Sequence, residues 1–162
     1  MTVLGMSRMK KFLLFLVFSI ASGAFAQLPS DVAHFSLNRV IDGDTIVTAE
    51  NTRVRLWGID TPERDQPHGA SATDALAEML SDQKLYLETK AVDRYGRTVG
   101  IIFNADGHEV NLQMVCAGHA WWYERYAKGA LDYKQCQQDA RNNERGLWVD
   151  ENPVAPWDWR RK

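Results

Sequence analysis

The stretch FSLNRVIDGDTIVTAENTRVRLWGI, residues 35–59, is the part of the sequence that decides the fold. Apolar and polar residues alternate along it in three runs, which is the period of half-buried β-strands. The runs are Phe35 to Ile41, Thr45 to Ala49 and Arg53 to Ile59. The turn Asp42-Gly43-Asp44 separates the first two runs, and Asp-Gly is a favoured hairpin dipeptide. The stretch therefore predicts a β-meander of three strands.

The remaining sequence predicts three helices and two more strands. Thr61-Pro62 ends the third strand, because proline lacks the N–H group that a ladder needs. The helices are predicted at Ser71 to Leu80, Val110 to Ala117 and Leu131 to Glu144, and the strands at Lys84 to Val92 and Arg97 to Phe103. A helix between the third and fourth of five strands is typical of an OB-type barrel. The predicted fold class is α+β: a five-stranded OB-type Greek-key β-barrel with three α-helices.

Residues 1–26 have the pattern of a cleaved secretory signal peptide. Arg8, Lys10 and Lys11 precede the apolar run Phe12 to Ile20, which is about half of the roughly 20 residues that a membrane span needs. Ala24-Phe25-Ala26 then supplies a signal-peptidase motif. We expect cleavage after Ala26, a secreted or periplasmic protein, and no membrane anchor.

Residues 27–148 are predicted to form one domain, followed by a tail at 149–162. The prolines of the tail, Pro153 and Pro156, predict that it is not helical. Its tryptophans, Trp157 and Trp159, predict that it lies against the body of the protein. The basic end from Arg160 to Lys162 is most simply a solvated terminus.

The charge balance of the mature chain is acidic. Removing residues 1–26, which carry three basic residues and no acid, leaves 16 basic and 21 acidic residues, a formal net charge of −5. Proteins that bind polyanions usually present a basic surface. The total charge therefore argues mildly against nucleic-acid binding, although the local field matters more than the sum.

The two cysteines, Cys116 and Cys136, allow two interpretations. An even number in an oxidising compartment, without a metal-type C-x-x-C spacing, favours a disulfide between them. Two buried free thiols, which behave as small hydrophobic side chains, are the alternative.

Two pairs of acids flank the predicted strand ends. Asp42 and Asp44 enclose Gly43, while Asp60 and Glu63 enclose Thr61-Pro62. Hard divalent cations take several oxygen ligands, and turns can present carboxylates and carbonyls together. Each pair alone is more typical of a solvated turn than of a metal site.

Two arginines accompany these acids. Arg55 lies on the strand that leads to Asp60, and Arg97 begins the strand after Tyr95-Gly96. Guanidinium groups match phosphate oxygens in a bidentate way and stay charged at any working pH. One arginine on a β-strand is nevertheless usually a surface charge. The combination of the two arginines with the acids is what suggests phosphate chemistry.

Five blocks of sequence, in this order, resemble the staphylococcal nuclease (thermonuclease) family over Phe35 to Trp148. They are Val40-Ile41-Asp42-Gly43-Asp44-Thr45, Arg55 to Asp60-Thr61-Pro62-Glu63, Asp93-Arg94-Tyr95-Gly96-Arg97, Val110-Asn111 to Gly118, and Gly146-Leu147-Trp148. The resemblance implies an OB-type barrel and calcium-dependent endonuclease cleavage of DNA and RNA that leaves 3′-phosphate ends.

The resemblance also implies a role for each site residue. Asp44, Asp60 and the carbonyl of Thr61 would be the protein ligands of Ca²⁺. Glu63 would activate or orient the attacking water. The two arginines, Arg55 and Arg97, would clamp the phosphate. Asp42 would support the turn or a coordinated water.

Three tyrosines are candidates for substrate binding. Tyr95, Tyr123 and Tyr126 could stack on a base or bond a phosphate, as aromatic side chains do in proteins that bind single strands. The expected partners are DNA and RNA, with single strands preferred, and the protein is expected to be a monomer. The loop after Glu63 is shorter than in the family prototype, which affects access to Glu63, and its His68 could contact a metal or phosphate.

Two other functions remain open at this point. A non-catalytic nucleic-acid-binding OB module would need no carboxylates at the phosphate. A calcium-stabilised exported interaction protein would fit the acidic charge better than a nuclease does. Cleavage of nucleic acid with calcium and with a chelator would separate the three.

Overall fold

The computed structural model describes residues 27–161. The predicted signal peptide, residues 1–26, lies outside the described residues, as does Lys162. The strands are β1 Ala33–Phe35, β2 Leu37–Asp42, β3 Thr45–Thr48, β4 Arg53–Leu56, β5 Ile59–Asp60, β6 Leu85–Val92, β7 Thr98–Phe103 and β8 Trp121–Trp122. The helices are α1 Gly69–Leu80, α2 Val110–Cys116, α3 Leu131–Asn142 and α4 Pro156–Trp159, with a 3₁₀ helix at Gly146–Val149. The α+β class and the three predicted helices are confirmed.

Six strands form one sheet in the order β1-β6-β7-β4-β3-β2. The two strands at its opposite edges, β1 and β2, are joined in sequence by Ser36 alone. A sheet whose edges are one residue apart has to curl until those edges approach each other, which produces the curved wall of an OB-type fold. All neighbouring strands are antiparallel except β4 and β7, which run parallel with Arg55 opposite Val99.

Two predicted strands are interrupted in the structure. The predicted strand from Phe35 to Ile41 divides at Ser36, since the preceding residues pair with β6 and the following ones with β3. The predicted strand from Arg53 to Ile59 divides at Trp57 and Gly58, where Gly58 has φ +78°. Glycine adopts this left-handed conformation without a steric penalty. The chain therefore changes direction before Asp60, and β5 pairs with β8 instead of continuing β4.

The main core lies between the inner face of the sheet and helices α1, α2 and α3. Helix α1 contributes Ala72, Leu76 and Leu80, spaced four residues apart, so that they share one face. All three are 2% exposed or less. Burying a leucine side chain contributes roughly 1.5–3 kcal/mol, so this face holds α1 against the strands.

Asn111 is a fully buried polar residue that ties α2 to the sheet. Its side-chain carbonyl accepts from the Ile102 N–H at 3.0 Å, and its amide donates to the carbonyls of Trp57 and Gly100 at 3.0 and 3.1 Å. These bonds supply partners for two backbone groups of β7 and for the Trp57 carbonyl at the strand break. They therefore fix the point from which the chain turns toward Asp60.

Cys116 and Cys136 form a disulfide that joins α2 to α3. Immediately after α2, Gly118 takes φ +78° and its carbonyl accepts from the Leu147 N–H at 2.9 Å. A Cβ on Gly118 would meet the Arg145 carbonyl oxygen at 2.2 Å, so the backbones cross too closely for a side chain. The crossing brings the chain after α3 back beside α2.

The tail after residue 149 contains helix α4, so the prediction that its prolines exclude a helix is wrong. Pro156 occupies the first turn of α4. At that position an N–H group has no partner within the helix, and the fixed φ of proline suits the helix start. The tail lies against the body, as its tryptophans predicted: Trp157 stands edge-on to Trp121, with ring centroids 5.5 Å apart. Among residues 27–161, no helix is long and apolar enough to cross a membrane.

Candidate active site

Asp44 lies at the end of the β2–β3 turn and is almost fully buried. The turn packs so closely that a Cβ on Gly43 would stand 2.8 Å from both Ala72 Cβ and Thr61 Oγ1. Glycine is therefore required here for close approach, in addition to its value in a hairpin turn. Asp42 supports the turn, because its Oδ1 accepts from the Asp44 N–H at 3.2 Å.

Thr61 binds Asp44 from the segment that follows β5. Its backbone N–H and its hydroxyl both donate to Asp44 Oδ2, at 2.9 and 3.0 Å. The hydroxyl of Thr45 donates to Asp44 Oδ1 at 3.1 Å. The D-G-D-T turn and the D-T-P-E segment, far apart in sequence, are therefore joined through a single carboxylate.

Arg55 bridges the two buried aspartates. Its Nη1 forms an ion pair with Asp44 Oδ1, and its Nη2 contacts Asp60 Oδ1 at 2.7 Å. Burial lowers the pKa of Arg55, and the Asp60 and Asp42 carboxylates oppose this shift by raising it. The Arg55 side chain is 16% exposed and that of Asp60 is 1% exposed, so these charges depend on one another for compensation.

Glu63 stands at the rim of this cluster, on a short loop that leads into α1. Its N–H donates to Gln66 Oε1 at 3.1 Å, and its carbonyl accepts from the Gln66 N–H at 2.9 Å. Gly69 closes the loop, since a Cβ there would meet the Glu63 carbonyl oxygen at 1.9 Å. The Glu63 side chain is 37% exposed, which leaves its carboxylate accessible to water. His68 pairs with Asp150 at 3.0 Å and not with these acids.

Arg160 completes the cluster, so the prediction of a solvated basic end is wrong for this residue. Its Nη2 contacts Asp60 Oδ2 at 2.7 Å, and its Nη1 contacts Glu63 Oε1 at 2.5 Å. The hydrogen bond to Asp60 is the main cause that raises the pKa of Arg160. The signal in the sequence was indirect: the tryptophans that hold the tail against the body also bring Arg160 to that surface.

Arg97 lies beside this cluster without contacting its acids. Its Nε binds Asp93 Oδ2 at 2.7 Å, and its N–H donates to Asp93 Oδ1 at 2.9 Å. Partial burial alone would raise the pKa of Asp93, but the hydrogen bonds from Arg97 and Tyr95, together with the charge of Arg97, outweigh it and lower the pKa. The charge of Arg97 lowers the pKa of Arg55, so the two guanidinium groups influence each other electrostatically. The parallel pairing of β4 with β7 brings Arg97, which directly precedes β7, close to the strand that carries Arg55.

The three predicted substrate-binding tyrosines fall into two groups. Tyr95 is 67% exposed and lies next to the guanidinium groups of Arg94 and Arg97, whose centres are 4.7 and 5.6 Å from its ring. Tyr126, 63% exposed, stands edge-on to Tyr123 with ring centroids 5.0 Å apart. Tyr123 also stacks on Trp157 of α4, at 5.2 Å and an interplanar angle of 8°.

The charge of the cluster fits a divalent cation. It contains four carboxylates, those of Asp42, Asp44, Asp60 and Glu63, and two guanidinium groups, those of Arg55 and Arg160, which leaves an excess of two negative charges. Residues 27–161 contain no group of three His, Cys, Asp or Glu side chains arranged to hold a metal ion. A cation here would depend on the carboxylates of Asp44 and Asp60 together with other oxygen donors, the ligands that hard divalent cations take.

The sequence of this chain is similar to one family profile and to several known proteins. A family profile described as "Staphylococcal nuclease homologue" matches residues 53–150. An "Uncharacterized endonuclease" of Escherichia coli is 39% identical over 132 residues, which cover 80% of this chain and 86% of that protein. A "Micrococcal nuclease" of Shigella flexneri is 38% identical over 76% of this chain and 78% of its own length. The "Staphylococcal-like nuclease CAN1" of Arabidopsis thaliana is 40% identical over 71% of this chain and 35% of its own.

Proposed function

The chain belongs to the staphylococcal nuclease family, and on that basis we propose that it is a calcium-dependent endonuclease that hydrolyses DNA and RNA. One observation carries the proposal: Asp44, Asp60 and Glu63 are joined through Arg55 and Arg160 in a single cluster of ion pairs. Such a cluster has both parts that phosphodiester hydrolysis needs, oxygen ligands for a hard cation and donors for phosphate oxygens.

The metal site is proposed from the chemistry of the donor set. Asp44, Asp60 and the carbonyl of Thr61 would hold Ca²⁺, with Asp42 supporting the turn that carries Asp44. When bound, Ca²⁺ supplies charge neutralisation and polarises the phosphoryl group.

The protein side chains would then divide the reaction between them. Glu63 accepts a proton from the attacking water, whose oxygen bonds to phosphorus while the bond to the 5′ oxygen breaks. The departing 5′ oxygen takes a proton from solvent water, so that the products are a 3′-phosphate end and a 5′-hydroxyl end. Arg55 and Arg97 donate to the non-bridging oxygens, whose negative charge increases as the transition state forms. Arg55 has to share its donors between the phosphate and the two aspartates that it bridges.

Substrate binding is assigned to the exposed aromatic side chains. Tyr95 and Tyr126 present exposed rings, and Tyr123 lies between Tyr126 and α4. Unstacked bases can bind to such rings, so we expect single strands to be preferred over duplex, and a monomer suffices for this site. The disulfide agrees with an oxidising compartment, and we place the protein in the periplasm or the medium.

The test is cleavage by residues 27–162 of single-stranded DNA, duplex DNA and RNA, with calcium or with a chelator. We expect the nucleic acid to be degraded only when calcium is present, and end-group analysis of the products should find 3′-phosphates. Arg55→Ala should lower the rate by roughly 10²–10³-fold, the usual effect of removing a transition-state donor. Glu63→Ala should lower it by roughly 10²–10⁴-fold, the usual contribution of a general base. Arg53→Ala is the matched control, because Arg53 is an exposed arginine on the same strand. Binding without cleavage by folded, calcium-loaded protein would instead identify a non-catalytic OB module.

A further inference from the structure

The tail is anchored directly over the loop that carries Glu63. We call residues 150–161 the C-terminal segment. Gln66 of the loop donates from Nε2 to the Val154 carbonyl at 2.6 Å, and Trp159 Nε1 donates to Asp65 Oδ1 at 3.3 Å. On the other side, Trp157 is stacked on Tyr123. Contacts on both sides of α4 give the residue that follows it, Arg160, a defined position.

Arg160 contacts the two acids to which different tasks are assigned. Its guanidinium binds both oxygens of Asp60, at 2.7 Å to Oδ2 and 3.3 Å to Oδ1, and also reaches Glu63 Oε1. A planar guanidinium that binds two carboxylates fixes their relative orientation as well as their charge. Asp60 is also held by Arg55. Among the side chains of residues 27–161, only Arg160 donates a hydrogen bond to the Glu63 carboxylate.

We propose that Arg160 is a positioning residue of the active site, which orients the Glu63 carboxylate relative to Asp60. The inference rests on the proposed nuclease function, because it assigns a task to Arg160 through Glu63 and Asp60. It adds a third arginine to the two that the sequence motifs identify. The C-terminal segment is then a part of the active site.

The same position has a second, opposite consequence for cation binding. Arg160 places a positive charge on Asp60, one of the two carboxylates proposed to hold Ca²⁺. A positive charge next to a ligand carboxylate weakens the binding of a divalent cation. Arg160 should therefore favour the chemical step while opposing the affinity for calcium, and no purely structural role predicts that combination.

The test compares Arg160→Gln with Arg160→Lys and Arg161→Gln. Arg161 is the matched control, since it is the neighbouring arginine, 75% exposed, and its ion pair is with Asp158 on the same segment. Calcium affinity is measured by calorimetry without nucleic acid, kcat and KM are measured on a single-stranded oligonucleotide at saturating calcium, and thermal unfolding reports folding.

For Arg160→Gln we expect calcium to bind roughly tenfold more tightly, since the repulsive unit charge is gone. We expect kcat to fall roughly 10- to 100-fold with KM changed less than threefold, because the loss concerns orientation of a reacting group. Arg160→Lys should keep calcium affinity close to that of the parent protein and recover part of kcat. Arg161→Gln should change neither quantity.

Parent-like kcat and calcium affinity in a folded Arg160→Gln protein would overturn the inference and leave the proposed function intact. Weaker calcium binding in that variant would overturn it as well, because it would mean that Arg160 merely supports the metal site structurally. A parent protein that binds calcium but cleaves nothing would instead overturn the proposed function, and with it the task assigned to Arg160.

Discussion

Replacing Arg55 with glutamine tests whether the two buried aspartates depend on the arginine between them. Glutamine is a shorter polar side chain whose amide can still donate hydrogen bonds, but it carries no charge. The structure places the Arg55 guanidinium against Asp44 and Asp60, whose side chains are 8% and 1% exposed. The substitution would therefore leave two like charges close together in a buried site.

The magnitude follows from the partners that remain. Breaking a buried ion pair from one side costs about 3–5 kcal/mol of stability. Asp44 keeps three hydrogen bonds, from Thr61 and Thr45, and Asp60 keeps Arg160. Because these partners remain, we expect the free energy of unfolding to fall by about 3 kcal/mol, the lower end of that range. For a domain of this size, that corresponds to a fall in Tm of about 10 °C.

The assay is urea unfolding followed by tryptophan fluorescence at neutral pH, first with a chelator and then with calcium. Because a divalent cation at the proposed site would compensate the same two carboxylates, calcium at a hundred times its Kd should restore about 2.7 kcal/mol. Arg53→Gln, the same charge change at an exposed position on β4, should stay within about 0.5 kcal/mol of the parent protein. A loss below about 1 kcal/mol for Arg55→Gln in chelator, or an equal loss for Arg53→Gln, would refute the reasoning.

Two further predictions concern stability. Replacing Cys116 and Cys136 with alanine should lower the free energy of unfolding by about 3 kcal/mol in urea titrations, since the bond closes a loop with a separation of 20 residues; an unchanged midpoint would contradict this. Burial raises the pKa of Glu109 above its ordinary value of 4.5, while the hydroxyl of Tyr133 donates to its carboxylate and opposes the shift. The folded protein therefore holds this proton more tightly than the unfolded chain, so its contribution to stability is complete below pH 4.5 and is lost as pH rises through the folded pKa. Thermal unfolding at a series of pH values should show this decline in the parent protein and in Glu124→Gln, an exposed control, but not in Glu109→Gln; a decline of equal slope in Glu109→Gln would assign it to another group.

The spacing of apolar residues was sufficient to predict helices and strands that have one buried face. The apolar spacing of Ala72, Leu76 and Leu80 predicted α1, because a helix with one buried face needs that spacing. The alternation from Thr45 onward predicted β3 for the same kind of reason. Family resemblance was needed to connect Asp44 with Asp60, since neither acidic turn indicates by itself where the other lies.

Features that depend on tertiary packing could not be predicted from the sequence. Alternation continues through Ser36 and through Trp57, and only the pairing of the flanking segments with different partners shows that the strands end there. Pro156 predicts a break in a helix, yet at the start of α4 it is compatible with one. Arg160 was missed because nothing near it in sequence specifies that it meets Asp60, a residue 100 positions earlier.

That separation of 100 residues has a consequence for folding. The entropy lost on closing a loop grows with its length, and a contact across 100 residues forms readily only after intervening elements have brought its ends together. We therefore expect the curled sheet, the crossing at Gly118 and the packing of Trp157 to form before Asp60 meets Arg160. A partly folded chain would hold the acids without the arginine that orients Glu63. The complete arrangement of the site is thus a property of the fully native topology, and misfolded or intermediate forms would lack it.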